Sequence, residues 1–279
     1  MIKAGGRINT IRRAHKKISR IKENLGSMDI TFTGKFECKR DNLIIRGKEY
    51  REKEGKLPAL ILSHGYLANQ KMCADYAKLA SGLGYAAFTF DFNGGGLGSK
   101  SSGKSMDMTV LSEIEDLKAV IRYVGSKTDI DAGHISLLGC SQGGVVSAIT
   151  AKQYPGIHSL ILLYPAFCIP DDARSGRMMF AHFDPARIPT VIQRFPMKLS
   201  GRYAACVQKW DIPDMAGGYD GPVLYLQGTR DRVVELHYAR EAQKLYPNVK
   251  YYEIEGGGHM FRGKHDRIAQ SIIKEFLGR

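Results

Sequence analysis

From Leu57 onward the chain alternates short, almost wholly apolar segments with longer segments of helical period, and few architectures satisfy that pattern. The short runs are Ala59–Ser63, Ala86–Asp91, Ile135–Leu138, Ser159–Leu163, Val223–Gln227 and Lys250–Ile254. A strand that is apolar on both faces must be covered on both, so these runs predict an α/β fold, a mostly parallel sheet with helices on both faces. The helical segments between or after them are Met72–Leu83, Val110–Tyr123, Gly143–Gln153, Glu235–Leu245 and Asp266–Phe276. Ahead of the alternation, Asp29–Glu37 and Asn42–Tyr50 are β-like stretches separated by Lys39-Arg40-Asp41, and they read as a hairpin.

One interval breaks the rhythm. No strand–helix unit fits from Ala166 to Tyr219, a stretch punctuated by Pro170, Pro185, Pro189, Pro196 and Pro213. An insert of that length in a compact domain is usually a lid or a binding segment. The expected organisation is therefore a basic leader, 1–27, followed by one domain, 28–279, carrying a cap insertion at 166–219.

Charge and cysteine usage narrow the class. The formal net charge of +13 raises the question of nucleic acid, but the charge is unevenly spread. Residues 1–27 hold eight basic residues against one acid, Glu23, a net +7 that leaves only +6 for the rest. No nucleic-acid partner is expected. Within the leader, Ile8, Ile11, Ile18, Ile21 and Leu25 recur at helical spacing, giving an amphipathic segment with a cationic face. Such a segment can anchor a chain to a membrane surface. More often it is a solvated helix, or a leader outside the fold, and that reading is preferred. No apolar stretch follows its charges as a secretory signal would require. The longest near-unbroken apolar run, Leu160–Ile169, contains Pro165 and is too short for a transmembrane helix. Five scattered cysteines, odd in number and without metal spacing, read as free thiols in a reducing, cytoplasmic setting.

Gly139-Cys140-Ser141-Gln142-Gly143 fits G-x-S-x-G between an apolar strand and a helical segment. A nucleophilic serine on a strand-to-helix turn needs small neighbours, and the helix N-terminus turns free N–H groups towards the site. The partners follow in the order serine, acid, histidine. Asp231 lies just past the strand Val223–Gln227, and His259 lies on the loop Glu255-Gly256-Gly257-Gly258-His259. Active sites of open α/β sheets form at those strand ends. His259 would take the proton of Ser141, and Asp231 would hold the imidazole tautomer and stabilise its cation. An oxyanion hole needs two backbone donors, here assigned to Gln142 and, from the loop His64-Gly65-Tyr66, to Tyr66. His64 reads as a buried histidine bracing that loop, and Cys140 as a small packing residue.

A rival from another class lies in Gly98-Ser99-Lys100-Ser101-Ser102-Gly103-Lys104-Ser105, which satisfies the phosphate-loop pattern G-x-x-x-x-G-K-[ST]. A phosphate loop leaves its strand almost directly, whereas here the strand ends near Asp91, seven residues before the first motif glycine. P-loop nucleotide binding is kept as the distant alternative.

From about Leu57 to its end the chain resembles the α/β-hydrolase family, closest to its cinnamoyl (feruloyl) esterase branch. The matching stretches are LSHGY (62–66), FDFNGGGLGS (90–99), MTVLSEIED (108–116), GCSQGGVV (139–146), YPAFCIPDDARSG (164–176), FDPARIP (183–189) and EGGGHMF (255–261). The resemblance implies an α/β-hydrolase fold and hydrolysis of a small-molecule ester through an acyl-enzyme, with no cofactor. It also implies a cap that holds an aromatic acyl group, with Asp172 and Tyr203 contacting its phenolic end. The chain departs from the branch at Cys140, where a histidine is usual, at Gly94-Gly95-Gly96, where G-H-G is usual, and at Arg177-Met178-Met179-Phe180, where a glutamine is expected. The last departure implies a more apolar acyl pocket. Within the class, an acylglycerol lipase or a serine peptidase of the same fold is the alternative, and the oligomeric state is open, a homodimer included.

Overall fold

The computed structural model describes residues 32–278. The leader 1–27 and the first residues of the predicted hairpin lie outside them. Two strands, β1 (Phe32–Arg40) and β2 (Leu43–Tyr50), form the hairpin, its turn made by Asp41 in the left-handed region. Six further strands complete one sheet: β3 (Leu57–Ser63), β4 (Ala86–Phe90), β5 (Ile130–Cys140), β6 (Ile157–Leu163), β11 (Val223–Gly228) and β12 (Val249–Ile254). The spatial order is β1-β2-β4-β3-β5-β6-β11-β12, antiparallel where β2 meets β1 and β4 and parallel elsewhere. The mostly parallel sheet expected from the apolar runs is present. β5 is longer than the run Ile135–Leu138 because its first residues are largely exposed, which hides them from an apolar pattern.

The main helices follow the predicted segments: α1 (Ala74–Gly82), α2 (Val110–Gly125), α3 (Gln142–Gln153), α7 (Leu236–Ala242) and α8 (Lys264–Leu277). A short 3₁₀ turn, Gln70–Cys73, precedes α1, where the sequence suggested continuous helix from Met72. α2 starts on a capping box: Ser112 N–H donates to Thr109 Oγ1 at 3.1 Å and Thr109 N–H to Ser112 Oγ at 2.9 Å. In α8, Ala269, Ile273 and Leu277 are buried at a spacing of four, a single apolar stripe. α3 is buried from Gln142 to Ala151 because sheet and helices cover it on every side.

The irregular interval between β6 and β11 holds elements too short for a periodic signal. These are α4 (Ile169–Ser175), the two-stranded pairs β7 (Arg177–Met178) with β8 (Ala181–His182) and β9 (Val191–Gln193) with β10 (Leu199–Ser200), then α5 (Gly201–Val207) and α6 (Ile212–Ala216). No helix among the described residues is long and apolar enough to cross a membrane.

A buried polar knot ties the hairpin to the body. Asp116 of α2, its side chain fully buried, accepts from Arg40 Nε at 2.5 Å, from Asn93 N–H at 2.9 Å and from Asn93 Nδ2 at 2.8 Å. Burial raises its pKa, and the Arg40 charge opposes that rise. Asp116→Ala strands a guanidinium that is mostly buried and two amide donors, so a loss of about 2–4 kcal/mol is expected. Chemical denaturation measures it, and the variant is expected to retain an intact α2 by circular dichroism.

Candidate active site

Parallel pairing brings the C-terminal ends of β3, β5, β6, β11 and β12 to one edge of the sheet: Ser63 pairs with Gly139, Cys140 with Leu163, and Gly228 with Ile254. Just past those ends lie Tyr66, Ser141, Tyr164, Asp231 and His259.

Ser141 occupies φ 53°, ψ −121°, a conformation costing a non-glycine residue about 1–2 kcal/mol. Two hydrogen bonds hold it there, Ser141 N–H to Leu163 O and Ala166 N–H to Ser141 O, both 3.0 Å. The flanking glycines are required by close approach. A Cβ on Gly139 would sit 2.2 Å from Gly143 O, and one on Gly143 would sit 2.4 Å from the carbonyl oxygens of Ser63 and His64.

Ser141 Oγ lies 2.9 Å from His259 Nε2, and His259 Nδ1 lies 2.8 Å from Asp231 Oδ2. The buried Asp231 carboxylate is held from four directions. Its Oδ1 accepts the N–H groups of Val233 and Val234 at 2.9 Å, and its Oδ2 accepts Gln227 Nε2 at 3.0 Å beside the histidine. With Nδ1–H donating to that carboxylate, the Nε2 lone pair faces the Ser141 hydroxyl, which is the arrangement needed to withdraw its proton. Tyr164 packs edge-on against the His259 ring at 4.9 Å between centroids. The three side chains grouped from the sequence are thus brought into one hydrogen-bonded line. Gln227 and Tyr164, which brace that line, were not singled out from the sequence, since neither type in a strand end carries a chemical signature.

The loop His64-Gly65-Tyr66 passes directly over Ser141, where a Cβ on Gly65 would stand 3.0 Å from Ser141 Cβ. Among the described residues, neither the Tyr66 nor the Gln142 backbone N–H donates to another backbone or side-chain group. His64 is fully buried, with Nδ1 at 2.8 Å from Gly65 O and Nε2 accepting Phe92 N–H at 3.2 Å. Burial lowers its pKa, so it is neutral and braces the loop. Cys140 is buried against the sheet.

Behind Gln142 runs a chain the sequence reading only half anticipated. The Tyr203 hydroxyl donates to Gln142 Oε1 at 2.5 Å, and Gln142 Nε2 donates to Glu113 Oε2 at 2.7 Å. Glu113 belongs to α2 and occupies a core position in the pattern Val110, Ile114, Leu117, a carboxyl where an apolar residue is the rule. That exception was the available signal. Burial pushes its pKa well up. Tyr203 thus has a partner the resemblance does not imply: its ring lines the cavity, and its buried hydroxyl donates to Gln142.

Beside Ser141 is a cavity of about 40 Å³, lined by Tyr66, Ile169, Asp172, Met178, Met179 and Tyr203 among others. Met178 and Met179 give this cavity an apolar and flexible wall. Asp172 is half-buried, and its pKa is pushed up to about 6, first by burial and further by the neighbouring Asp171, with the Cys168 thiol opposing the rise.

The segment Gly98–Ser105 is no phosphate cradle. Lys100 N–H donates to Asp91, Ser101 N–H to Ser99 Oγ and Ser102 N–H to Ile44 O, while Ser101 and Ser102 hydroxyls cap the edge of β2. Those backbone donors are already spent, and α2 starts only at Val110, well past the motif, so no helix N-terminus faces it.

Tyr203→Phe leaves Gln142 Oε1 without its donor and is expected to lower kcat for ester hydrolysis about five- to a hundredfold. The loss should be equal for methyl ferulate and methyl cinnamate, because the hydroxyl acts on Gln142. Steady-state kinetics on the two esters measures it.

Comparison with known proteins places the chain. Residues 56–210, more than half of it, match the family model described as serine aminopeptidase, S33. That match includes Ser141 and ends before Asp231 and His259. The structure of Est1E from Butyrivibrio proteoclasticus, solved with ferulic acid bound, superposes with a TM-score of 0.80 at 27% identity, covering 87% of this chain and 97% of that one. Among curated relatives, the α/β-hydrolase domain-containing protein WAV2 of Arabidopsis thaliana is 25% identical over 53% of this chain and 47% of its own. Human α/β-hydrolase domain-containing protein 17C is 23% identical over 77% of this chain and 58% of its own. The chain thus spans only about half to three-fifths of these curated relatives. With a serine on a strained strand-to-helix turn, a parallel sheet that gathers its strand ends there, and these matches, the chain belongs to the α/β-hydrolases, in the family described as serine aminopeptidase, S33, and lies close to the feruloyl esterase branch.

Proposed function

We propose that the protein is a serine carboxylesterase that works through an acyl-enzyme, with Ser141 as nucleophile, His259 as general base and then acid, and Asp231 as the group that orients the imidazole. The observation that carries this reading is the continuous hydrogen-bonded line from Ser141 Oγ through His259 to Asp231. The Tyr66 and Gln142 N–H groups form the oxyanion hole, and the interval 166–219 acts as the cap over the acyl pocket. Support for the ester class comes from the likeness to Est1E and from the apolar cavity beside Ser141. The five free cysteines support a reducing, cytoplasmic location.

In the proposed first step Ser141 Oγ attacks the ester carbonyl as His259 Nε2 takes its proton. The carbonyl oxygen becomes an oxyanion held by the two N–H groups. His259 then returns the proton to the departing alcohol, and water repeats the sequence on the acyl-enzyme. Preorganised donors of this kind each contribute about 3–4 kcal/mol to such reactions.

A substrate panel tests the class: methyl ferulate, methyl p-coumarate, short p-nitrophenyl esters, a monoacylglycerol and a peptide amide. Turnover of methyl ferulate and methyl p-coumarate above the others supports the feruloyl-type reading, while turnover dominated by the monoacylglycerol or the amide points to the lipase or peptidase of the same fold. Ser141→Ala is expected to lower ester turnover roughly 10⁴–10⁶-fold with folding intact. Wild-type-like turnover by that variant would overturn the assignment.

Asp172 supplies a pH test of the acyl pocket. With its pKa raised to about 6 by burial, it is neutral below that pH and a carboxylate above it. A carboxylate accepts a phenolic hydrogen bond more strongly than a neutral acid does. The kcat/KM ratio of p-coumarate to cinnamate ester should therefore rise through pH 6, and Asp172→Asn should flatten that rise. A ratio independent of pH in the wild type would remove Asp172 from substrate recognition.

A further inference from the structure

Among the described residues, the three most exposed large apolar side chains lie on two hairpin turns whose strands line this cavity. Phe195, 83% exposed, lies on the turn between β9 and β10, and Phe180, 61% exposed, follows Met179, 52% exposed, on the turn between β7 and β8. The β7–β8 pair lines the cavity through Met178 and Met179, and β10 does so through Leu199. β8 packs beside β9, whose Gln193 bonds the Tyr66 hydroxyl at 2.9 Å. Exposed Val233 also lines the cavity, and exposed Met260 follows His259. Exposing these groups to water is unfavourable, and their concentration at one opening marks a contact surface.

The charges beside them say what the surface meets. Arg194 precedes Phe195 and Lys198 follows it. Arg177 stands at the base of the Phe180 turn, Arg232 beside Val233, and Arg262 two residues after Met260. All five are exposed, and among the described residues none has an ion-pair partner. Between residues 177 and 198 four cations face a single carboxylate, Asp184, which already accepts Ala186 N–H. Apolar tips alternating with unpaired cations match a surface that is greasy within and anionic at its face. A second copy of the chain would set cation against cation.

We infer that the hairpin tips and their cations dock the active-site mouth onto an anionic lipid bilayer, so that esters dissolved in that bilayer pass directly into the acyl pocket. The docking stands on the surface alone, and the delivery of esters rests on the esterase reading. Phe180 and Phe195 enter the acyl-chain region, and the arginines stay with the headgroups.

The test uses the full chain and the double variant Phe180→Ser/Phe195→Ser with vesicles of equimolar phosphatidylcholine and phosphatidylglycerol. Removing both tips is expected to weaken vesicle affinity, read by co-sedimentation, roughly a hundredfold, since burial of each exposed phenylalanine is worth roughly a factor of ten or more. Because both proteins carry the basic leader, its contribution cancels in that comparison. Wild-type binding should fall when phosphatidylglycerol is omitted. Turnover of a soluble short-chain p-nitrophenyl ester should be the same in both proteins, while turnover of a long-chain ester embedded in the vesicles should drop with binding. Equal sedimentation of the two proteins, or none by the wild type, overturns the docking surface. A wild-type dimer that the double variant abolishes, without vesicle binding, overturns it in favour of self-association. Vesicle binding without soluble-ester turnover keeps the surface and removes the esterase reading instead.

Discussion

Everything at this site depends on Ser141 being kept in a backbone conformation it would not choose. Its φ of 53° is stabilised from outside the turn, by the Leu163 carbonyl on one side and the Ala166 amide on the other. Those partners belong to β6 and the residues after it, so the strain is sustained by the sheet. The close approaches at Gly139 and Gly143 leave no room for any other residue there. The same packing brings Ser63 and His64 against the start of α3 and so sets the loop that carries Tyr66. A turn this over-determined holds Ser141 Oγ still, 2.9 Å from His259 Nε2.

Polar groups in the interior are arranged in chains that end on functional atoms. Asp231 accepts four hydrogen bonds, leaving one carboxylate oxygen shared between Gln227 and His259. Glu113, Gln142 and Tyr203 form a second chain, which joins α2, the elbow and α5 of the insertion. Through Gln142 the insertion is hydrogen-bonded to the residue that follows Ser141, so a shift of α5 is felt next to that serine. Neutral groups serve as well as charged ones in such a chain: His64 is held neutral by burial and still satisfies both ring nitrogens.

The strongly apolar parts of the molecule serve two purposes. In the sheet and α3 they exclude water from both chains of hydrogen bonds, which raises the cost of breaking either. In the insertion they stay partly in solvent, where Met179, Phe180 and Phe195 are strongly exposed. Met178 and Met179 make the pocket wall adjustable and apolar at once.

The sequence by itself determined the sheet, its helices and the line Ser141, His259, Asp231. Each rests on a local signal: apolar runs that must be buried on both faces, and chemistry-bearing residues just past strand ends in the order the fold demands. The elements of the insertion escaped because two- to seven-residue pieces have no period to read, and they form only against the body of the domain. Tertiary structure alone decided what the polar side chains do. Tyr203 was legible as a cap residue, but only the crossing of α5 over the elbow turns its hydroxyl to Gln142. Glu113 was visible as a carboxyl in an apolar stripe, and its partner lies 29 positions away on another helix. Long-range hydrogen bonds of this kind depend on distances between elements, which sequence spacing does not encode.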